Sequence, residues 1–382
     1  MEKKGEYFWT KCHEFCHKFF VAIGFNFVYN SNQQGIRNVL EEVKVTTIKD
    51  IAKAAGVSVT TVSRALNGYS DVSEKTRKKI MDIAKQLNYS PNTLARSLVM
   101  NKSKTIGLLV SGMTRSAVKD NFTFEVMTGV NDYIAKTDYD VILFNTNSTK
   151  QREKTYSQLC RERRVDGVIL QGIKTDDPYL TEVVESDIPC VLIDIPIQSD
   201  RVGYVTTDNV HGAKKAVQHL LELGHRHIAM MNGHDYAFVS KQRLQGFYEA
   251  MEEANVPIQK EWIVNGDFSE EMAEARAYEL FMKHQHITAI FCASDLMALG
   301  VMKALKQLGL RVPEDVSVVG YDDILLASYV SPALTTVAQN KFQMGYEAAS
   351  MLIDMLEGNE AKVVTLRTQL VVRESTAEVK KG

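Results

Sequence analysis

Cysteine is scarce. Cys12, Cys16, Cys160, Cys190 and Cys292 are the only five in 382 residues, and an odd, scattered set argues against a disulfide scaffold and suits a reducing compartment. No apolar run reaches the roughly 18 residues of a membrane span. The nearest, FFVAIGFNFVY at 19–29, has the length of a signal-peptide core, but no small-x-small cleavage site follows it. The phosphate-cradling G-x-G-x-x-G and P-loop patterns, the H-E-x-x-H metal helix and the G-x-S-x-G elbow are all missing. CHEFCH at 12–17 would crowd a tetrahedral ion. His225 with His227, and His284 with His286, sit two apart without a third ligand at usable spacing, and read as surface histidines. No catalytic residue, metal or cofactor is therefore expected, and the chain is not expected to be an enzyme.

A net charge of −2 hides an uneven distribution. Residues 45–104 carry 11 Lys or Arg against 4 Asp or Glu, net +7, while residues 1–44 are +1 and the remainder −10. A basic block on an acidic body points to a polyanion bound by that block, with an ordinary solvated face as the alternative.

From Thr47 the pattern is helical. Ile48, Ile51, Ala52 and Ala55 recur at helical spacing, Gly56 stops the run, and Ser58 caps a second helix with Val62, Ala65 and Leu66 on one side. A third helix is predicted over 73–87. Three short helices with a tight first joint match a helix-turn-helix, whose second helix enters the major groove. Its first turn offers Val59 and Thr60, with Thr61, Ser63 and Arg64 nearby. Arg64 suits guanine or phosphate, and Val59 or a threonine methyl suits a thymine methyl. Lys75, Arg77, Lys78 and Lys79 read as phosphate-positioning groups or as a solvated face. Ser90-Pro91 predicts a short helix over 91–99, too short to hold alone in water.

Beyond Lys104, β-rich runs at 105–110, 140–145, 165–172 and 189–194 alternate with helical stretches, and a similar series returns over 204–323. Two βα series predict an α/β body of two doubly wound lobes with a cleft between them. Residues 194–204 and 318–340 are the expected crossings between lobes.

VTTIKDIAKAAGVSVTTVSRALNGYSDVSEKTRKKIMDIAKQLNYSPNTLARSLVMNKSKTIG, residues 45–107, resembles the reader and hinge of the lactose repressor/galactose repressor family of bacterial transcription regulators. TTDNVHGA, LGHRHIA, RLQGF, CASDLMALG, LRVPEDVSVVGYDD and SPALTTV extend the resemblance along most of the chain. It implies a cytoplasmic, nucleoid-associated repressor that binds a palindromic double-stranded operator as a homodimer, without membrane contact, under a small-molecule effector. Val59 and Thr60 match positions that vary with operator sequence, and Arg64 the shared arginine. Asn92, Ala95 and Leu98 match hinge positions in the minor groove, with Leu98 as the wedge that kinks the duplex; on the residues alone, Leu98 reads equally as packing against the body. The chain ends without leucine heptads, so a dimer and not a tetramer is expected.

The body implied is a two-lobed, periplasmic-binding-protein-like fold with the effector between its lobes. Phe122 matches a cleft aromatic or is a core residue; Arg243 and Asp322 match effector contacts, and Asp208 and Asp295 are cleft or lobe-shaping positions. Many sugar-binding members have Asn-Asp where this chain has Ser294-Asp295, and Asp-Arg where it has Asp194-Ile195. The implied effector is a sugar or sugar phosphate, with a nucleobase or nucleoside as an alternative and a phosphorylated carrier protein as a further corepressor. The competing reading is a soluble sugar-binding or sugar-processing protein with a basic appendage. The domain expectation is an atypical extension at 1–44, a helix-turn-helix at 45–90, a hinge at 91–104, a body at 105–372 and a polar tail at 373–382. The extension reads as an added module or as a start assigned upstream of Val45.

Overall fold

The computed structural model describes residues 46–89, 102–111, 119–146 and 154–379. The expected hinge positions Asn92, Ala95 and Leu98, and the whole of 1–44, lie outside them. The chain divides into two compact units, 1–92 and 93–382.

In the first unit, α1 (Ile48–Ala55), α2 (Val59–Leu66) and α3 (Glu74–Gln86) form as the spacing predicts. Asp50 holds the start of α1: the Thr47 amide and hydroxyl donate to its Oδ2 at 2.8 and 2.7 Å. Gly56, at φ 67°, turns the chain out of α1 in the left-handed conformation that glycine adopts freely. Ser58 Oγ accepts the Thr61 amide at 3.0 Å and Ser73 Oγ that of Thr76 at 3.3 Å. Ile51, Ala52, Ala55, Val62, Val72, Ala65, Ile80 and Ala84 make the core. So small a core leaves the turns to be held by side chains, which decides the role of Arg77 below.

The second unit builds its first lobe from β1 (Thr105–Ser111), α4 (Phe122–Ile134), β2 (Asp140–Thr146), α5 (Tyr156–Arg163), β3 (Gly167–Gln171), α6 (Pro178–Val184), β4 (Cys190–Ile193) and β5 (Val202–Thr207). The second lobe follows with α7 (Asn209–Glu222), β6 (Ile228–Asn232), α8 (Phe238–Glu253), β7 (Ile263–Asn265), α9 (Glu270–Lys283), β8 (Ala289–Cys292), α10 (Asp295–Gln307), β9 (Ser317–Asp322) and β10 (Thr335–Gln339). The chain then returns to the first lobe for α11 (Lys341–Leu356) and β11 (Val363–Leu366), and crosses again for β12 (Thr368–Val371). The sheet orders are β11-β5-β4-β3-β1-β2 and β12-β10-β9-β8-β6-β7. Every paired strand is parallel except β12, which runs antiparallel to β10.

Helices on both faces explain the nearly continuous apolar strands. In the first lobe Leu108, Val110 and Ile169 face the α4–α11 core, while Leu109, Val168 and Leu170 face the core that includes α5 and α6. A Cβ at Gly129 of α4 would overlap the Phe342 carbonyl, and one at Gly345 of α11 the Val126 carbonyl, so these glycines permit the close crossing of the two helices.

Two expectations are corrected. Residues 194–204 do not cross between lobes, because β4 and β5 are parallel neighbours in one sheet; the crossings lie at 207–209, 339–341 and 366–368. Of the expected polar tail, 373–379 belong to the body. Ser375 is fully buried and donates to the Val318 carbonyl at 2.6 Å, and the Val379 amide donates to the Leu223 carbonyl at 3.0 Å.

Candidate ligand cleft and nucleic-acid interface

The strands of both lobes end at the crossings, and there the chain gathers polar side chains. Arg243, on α8 and 3 % exposed, donates from Nε to Asn209 Oδ1 at 2.9 Å and from NH1 to the Ala293 carbonyl at 2.5 Å. Its guanidinium lies 3.8 Å from the Tyr321 ring centroid and NH1 is 3.6 Å from Asp322 Oδ1. That same oxygen accepts Gln339 Nε2 at 2.5 Å, and Gln339 Oε1 accepts the Thr207 hydroxyl at 2.8 Å. On the first-lobe side, Asn209 Nδ2 donates to the Thr207 carbonyl at 3.0 Å, and the Thr206 hydroxyl donates to Asp194 at 2.6 Å. Lys341, 4 % exposed, donates to the carbonyls of Asp322 and Asp323 at 2.5 and 3.0 Å. The result is one buried network spanning the crossings. Asp194 (φ 59°), Asp322 (φ 113°) and Asp323 (φ 51°) hold backbone angles uncommon for residues with a Cβ, and such strain gathers where function constrains the chain.

This network floors a cleft of about 400 Å³. Phe122, Arg243, Ser294 and Asp322 line it, joined by Asp120, Gln171, Asp194, Phe238 and Phe268. Of the expected positions, two are placed elsewhere. Asp208 is exposed and caps α7, accepting the His211 amide at 3.1 Å. Asp295 is wholly buried in the second lobe, where it accepts the Ile324 amide at 2.8 Å and the Thr336 hydroxyl at 2.5 Å. Ser294, though at the cleft, caps α10 by accepting the Met297 amide at 3.2 Å. Ile195 is buried in the first-lobe core, so no guanidinium stands beside Asp194 at that position.

Burial, reinforced by the Asp322 charge, pushes the Asp120 carboxyl up to about 7, against the pull of Lys341, Arg243 and the Phe122 amide. Burial likewise lifts Asp194 to about 6 and raises Asp322, whose chief opposing influence is Arg243. The lobes also touch beside the cleft: Thr175 donates from its amide and hydroxyl to the Tyr236 carbonyl, both at 3.0 Å, and Lys119 pairs with Glu270.

In the first unit, Val59 (41 % exposed) and Thr60 stand open at the start of α2. The Thr61 hydroxyl lies 2.8 Å from Ser58 Oγ, and Ser63 accepts Asn67 Nδ2 at 3.4 Å. Arg64 donates to Asp71 at 2.7 Å across a half-exposed pair and lies over Tyr69. Lys75 and Lys78 are exposed on α3. Arg77 corrects its expectation. Its guanidinium donates to the carbonyls of Ala65, Tyr69 and Val72 at 3.0, 2.6 and 3.4 Å, which makes it a strut of the α2–α3 turn. Lys79 similarly reaches the Ala55 carbonyl at 2.9 Å.

The spaced histidines separate. His225 is buried, within 2.9–3.0 Å of Thr288, Ser317 and the Ala377 carbonyl, and burial lowers its pKa. His227, His284 and His286 gather around Trp262 in a second pocket of about 500 Å³. Among the described residues no group of His, Cys, Asp and Glu is arranged to hold a metal ion.

Sequence reasoning missed Asn209, Gln339 and Lys341. Asn209 lies inside the quoted TTDNVHGA, but nothing in its spacing separates a cap-adjacent asparagine from a network member.

The family model described as "Bacterial regulatory proteins, lacI family" matches residues 47–92, and the one described as "Periplasmic binding protein-like domain" matches 217–376. The HTH-type transcriptional repressor PurR of Vibrio vulnificus (strain CMCP6) is 38 % identical over 339 residues, covering 88 % of this chain and 100 % of that protein. A structure of the transcriptional regulator CelR–cellobiose complex is 33 % identical with a TM-score of 0.68, covering 86 % of this chain and 99 % of that one. The lac repressor dimer bound to operator and the anti-inducer ONPF is 28 % identical with a TM-score of 0.72, covering 87 % and 100 %. With a matching reader and a relative aligned over its whole length, this chain belongs to the LacI family of bacterial regulatory proteins.

Proposed function

We propose that the protein is a dimeric, sequence-specific repressor of transcription whose grip on a palindromic operator is set by a small molecule bound between the lobes of its body. It is a regulator and not an enzyme. The observation that carries the reading is the Arg243–Asp322 network, which joins the lobe crossings and opens into a cleft lined by Phe122 and Ser294. A ligand that prefers one lobe arrangement shifts the equilibrium between arrangements, and a coupling of about 1–3 kcal/mol changes operator affinity roughly 5- to 150-fold.

Residues 45–90 are the reader, 91–104 the hinge, and the body runs from 105 through at least 379. Val59 and Thr60 choose bases, Arg64 exchanges its Asp71 partner for guanine or phosphate, and Lys75 positions the backbone, with Thr61 and Ser63 shaping the first turn. Asn92, Ala95 and Leu98 act in the minor groove. The effector is a sugar or sugar phosphate, consistent with the cellobiose of the CelR complex.

The test is fluorescence anisotropy on a palindromic site near the gene. The intact protein binds it well above a scrambled duplex across a salt series, and Leu98→Ala weakens specific binding far more than non-specific binding. Equal affinity for both duplexes refutes the repressor. Titration with sugars and sugar phosphates then finds the effector, and a phosphorylated carrier protein added in their absence tests the proposed corepressor.

A further inference from the structure

The turn between α2 and α3 is held firmly. Gly68 takes φ 79°, the Tyr69 amide donates to the Arg64 carbonyl at 3.1 Å, and Val72 is buried in the core of the unit. Arg77 ties the carbonyls of Ala65, Tyr69 and Val72 together. Side chains from this turn close on Arg64. Asp71 Oδ2 accepts its Nε at 2.7 Å, and its Cζ lies 4.6 Å from the centroid of the Tyr69 ring, itself 38 % exposed. NH1 and NH2 have no hydrogen-bond partner among the described residues, so the guanidinium is an oriented fork with two open donors.

An acid at this place works against the charge of its own surroundings. Residues 45–104 hold 4 Asp or Glu against 11 Lys or Arg. Asp50 holds the start of α1, and Glu74 stands in the first turn of α3, where negative charge complements the helix dipole. Asp71 does neither. It neutralises the arginine of α2, and a half-exposed pair of this kind contributes little to folding. The two destinations of Arg64 give it a purpose. Guanine offers O6 and N7, uncharged acceptors that match a fork. A phosphate drawn to the same guanidinium stands beside the Asp71 carboxylate, like charge against like charge.

We propose that Asp71 and Tyr69 are positioning residues that set the specificity of Arg64, disfavouring its capture by phosphate and presenting it to a guanine edge. This rests on Arg64 being a DNA contact, and it ranks the two partners that such a contact can take. Phosphate contacts carry no sequence information, so an acid that weakens them improves discrimination at the expense of total affinity. Tyr69 holds the plane of the fork from beneath, and Arg77 holds the turn that carries both residues.

The experiment is fluorescence anisotropy of the full chain on the palindrome and on a scrambled duplex, from about 50 to about 200 mM salt. Asp71→Asn keeps an acceptor for Nε and removes the charge. One added phosphate contact steepens the fall of log affinity with log salt by about 0.9, or about 3-fold across that range. The variant is expected to bind the scrambled duplex about 3- to 10-fold more tightly at the lower salt, with the steeper slope, while the palindrome gains less than about 2-fold. In an Arg64→Ala background the same substitution leaves that slope unchanged. Tyr69→Leu costs about 2- to 5-fold in operator affinity, the range of an exposed cation–π contact, and Tyr69→Phe binds like the parent. The proposal is overturned if Asp71→Asn leaves scrambled-duplex binding unchanged, tightens both duplexes equally, or acts as strongly without Arg64. It is also overturned if Tyr69→Leu, melting like the parent, binds the palindrome like it, or if Tyr69→Phe binds no better than Tyr69→Leu. The underlying reading has its own readout: loss of operator affinity in Arg64→Ala keeps Arg64 as a DNA contact even where a silent Asp71→Asn removes this proposal.

Discussion

Replacing Arg243 by methionine keeps much of the side-chain length and removes the charge and the donors. Three acceptors lose their partner at once. Asn209 Oδ1 and the Ala293 carbonyl lose bonds of 2.9 and 2.5 Å, and Asp322 loses the cation 3.6 Å away. Breaking a buried ion pair from one side costs about 3–5 kcal/mol, and a stranded acceptor about 1–3 kcal/mol. Asp322 retains Gln339 on the same oxygen, and a carboxyl in such surroundings escapes part of the cost by protonating. A total of about 3–5 kcal/mol at pH 8 is therefore expected. The pH dependence has a definite sign. Burial already raises the Asp322 pKa and Arg243 is the largest influence holding it down, so the variant raises it further. A carboxyl whose folded pKa exceeds its unfolded value, about 3.9, binds more protons when folded, and its contribution to stability is lost as pH rises from that unfolded value through the folded one. Urea unfolding of parent and variant should show a smaller loss at pH 5 than at pH 8. A loss below about 1 kcal/mol, or an equal loss at both pH values, would refute the account of Arg243 as the centre of the network.

Three other outcomes are expected. Arg64→Ala changes melting by less than about 1 kcal/mol, since its pair with Asp71 is half exposed, but costs about 1–3 kcal/mol in operator affinity; unchanged anisotropy would remove Arg64 as a DNA contact. Arg77→Ala does the reverse, destabilising the 46–89 unit by about 1–3 kcal/mol because the carbonyls of Ala65, Tyr69 and Val72 lose their donor; hydrogen exchange of the α2–α3 turn measures it. Asp295→Ala lowers stability by about 1–3 kcal/mol through the stranded Ile324 amide and Thr336 hydroxyl, and calorimetry on the folded fraction still finds the ligand; loss of binding without loss of stability would restore Asp295 to the cleft.

The three helices of the reader were legible because local rules determine them. Caps at Ser58 and Ser73, a stop at Gly56 and apolar residues at helical spacing act within a turn or two of chain. The β-runs of the body were legible for the same reason, and the family resemblance carried Phe122, Arg243 and Asp322 to the cleft they line. What failed was whatever depends on a partner outside the residue's own helix or strand. Arg77 reads as a free cation until Ala65, Tyr69 and Val72 turn their carbonyls toward it. Residues 373–379 read as a tail until Ser375 is seen beneath β9.

By itself, then, the sequence determined the reader helices, the two βα lobes and the confinement of positive charge to residues 45–104, since periodicity, capping and composition are properties of neighbouring residues. Only the tertiary structure decided which aspartates are tools. Asp295 disappears into a lobe and Asp208 turns to a helix end, while Asp120, unremarked in the chain, joins Asp322 and Arg243. The physical reason is that a carboxylate's role is set by its burial and by the charges and donors around it, and in this fold those arrive from other elements, for Asp120 from Arg243, Asp322 and Lys341, each more than a hundred residues along the chain.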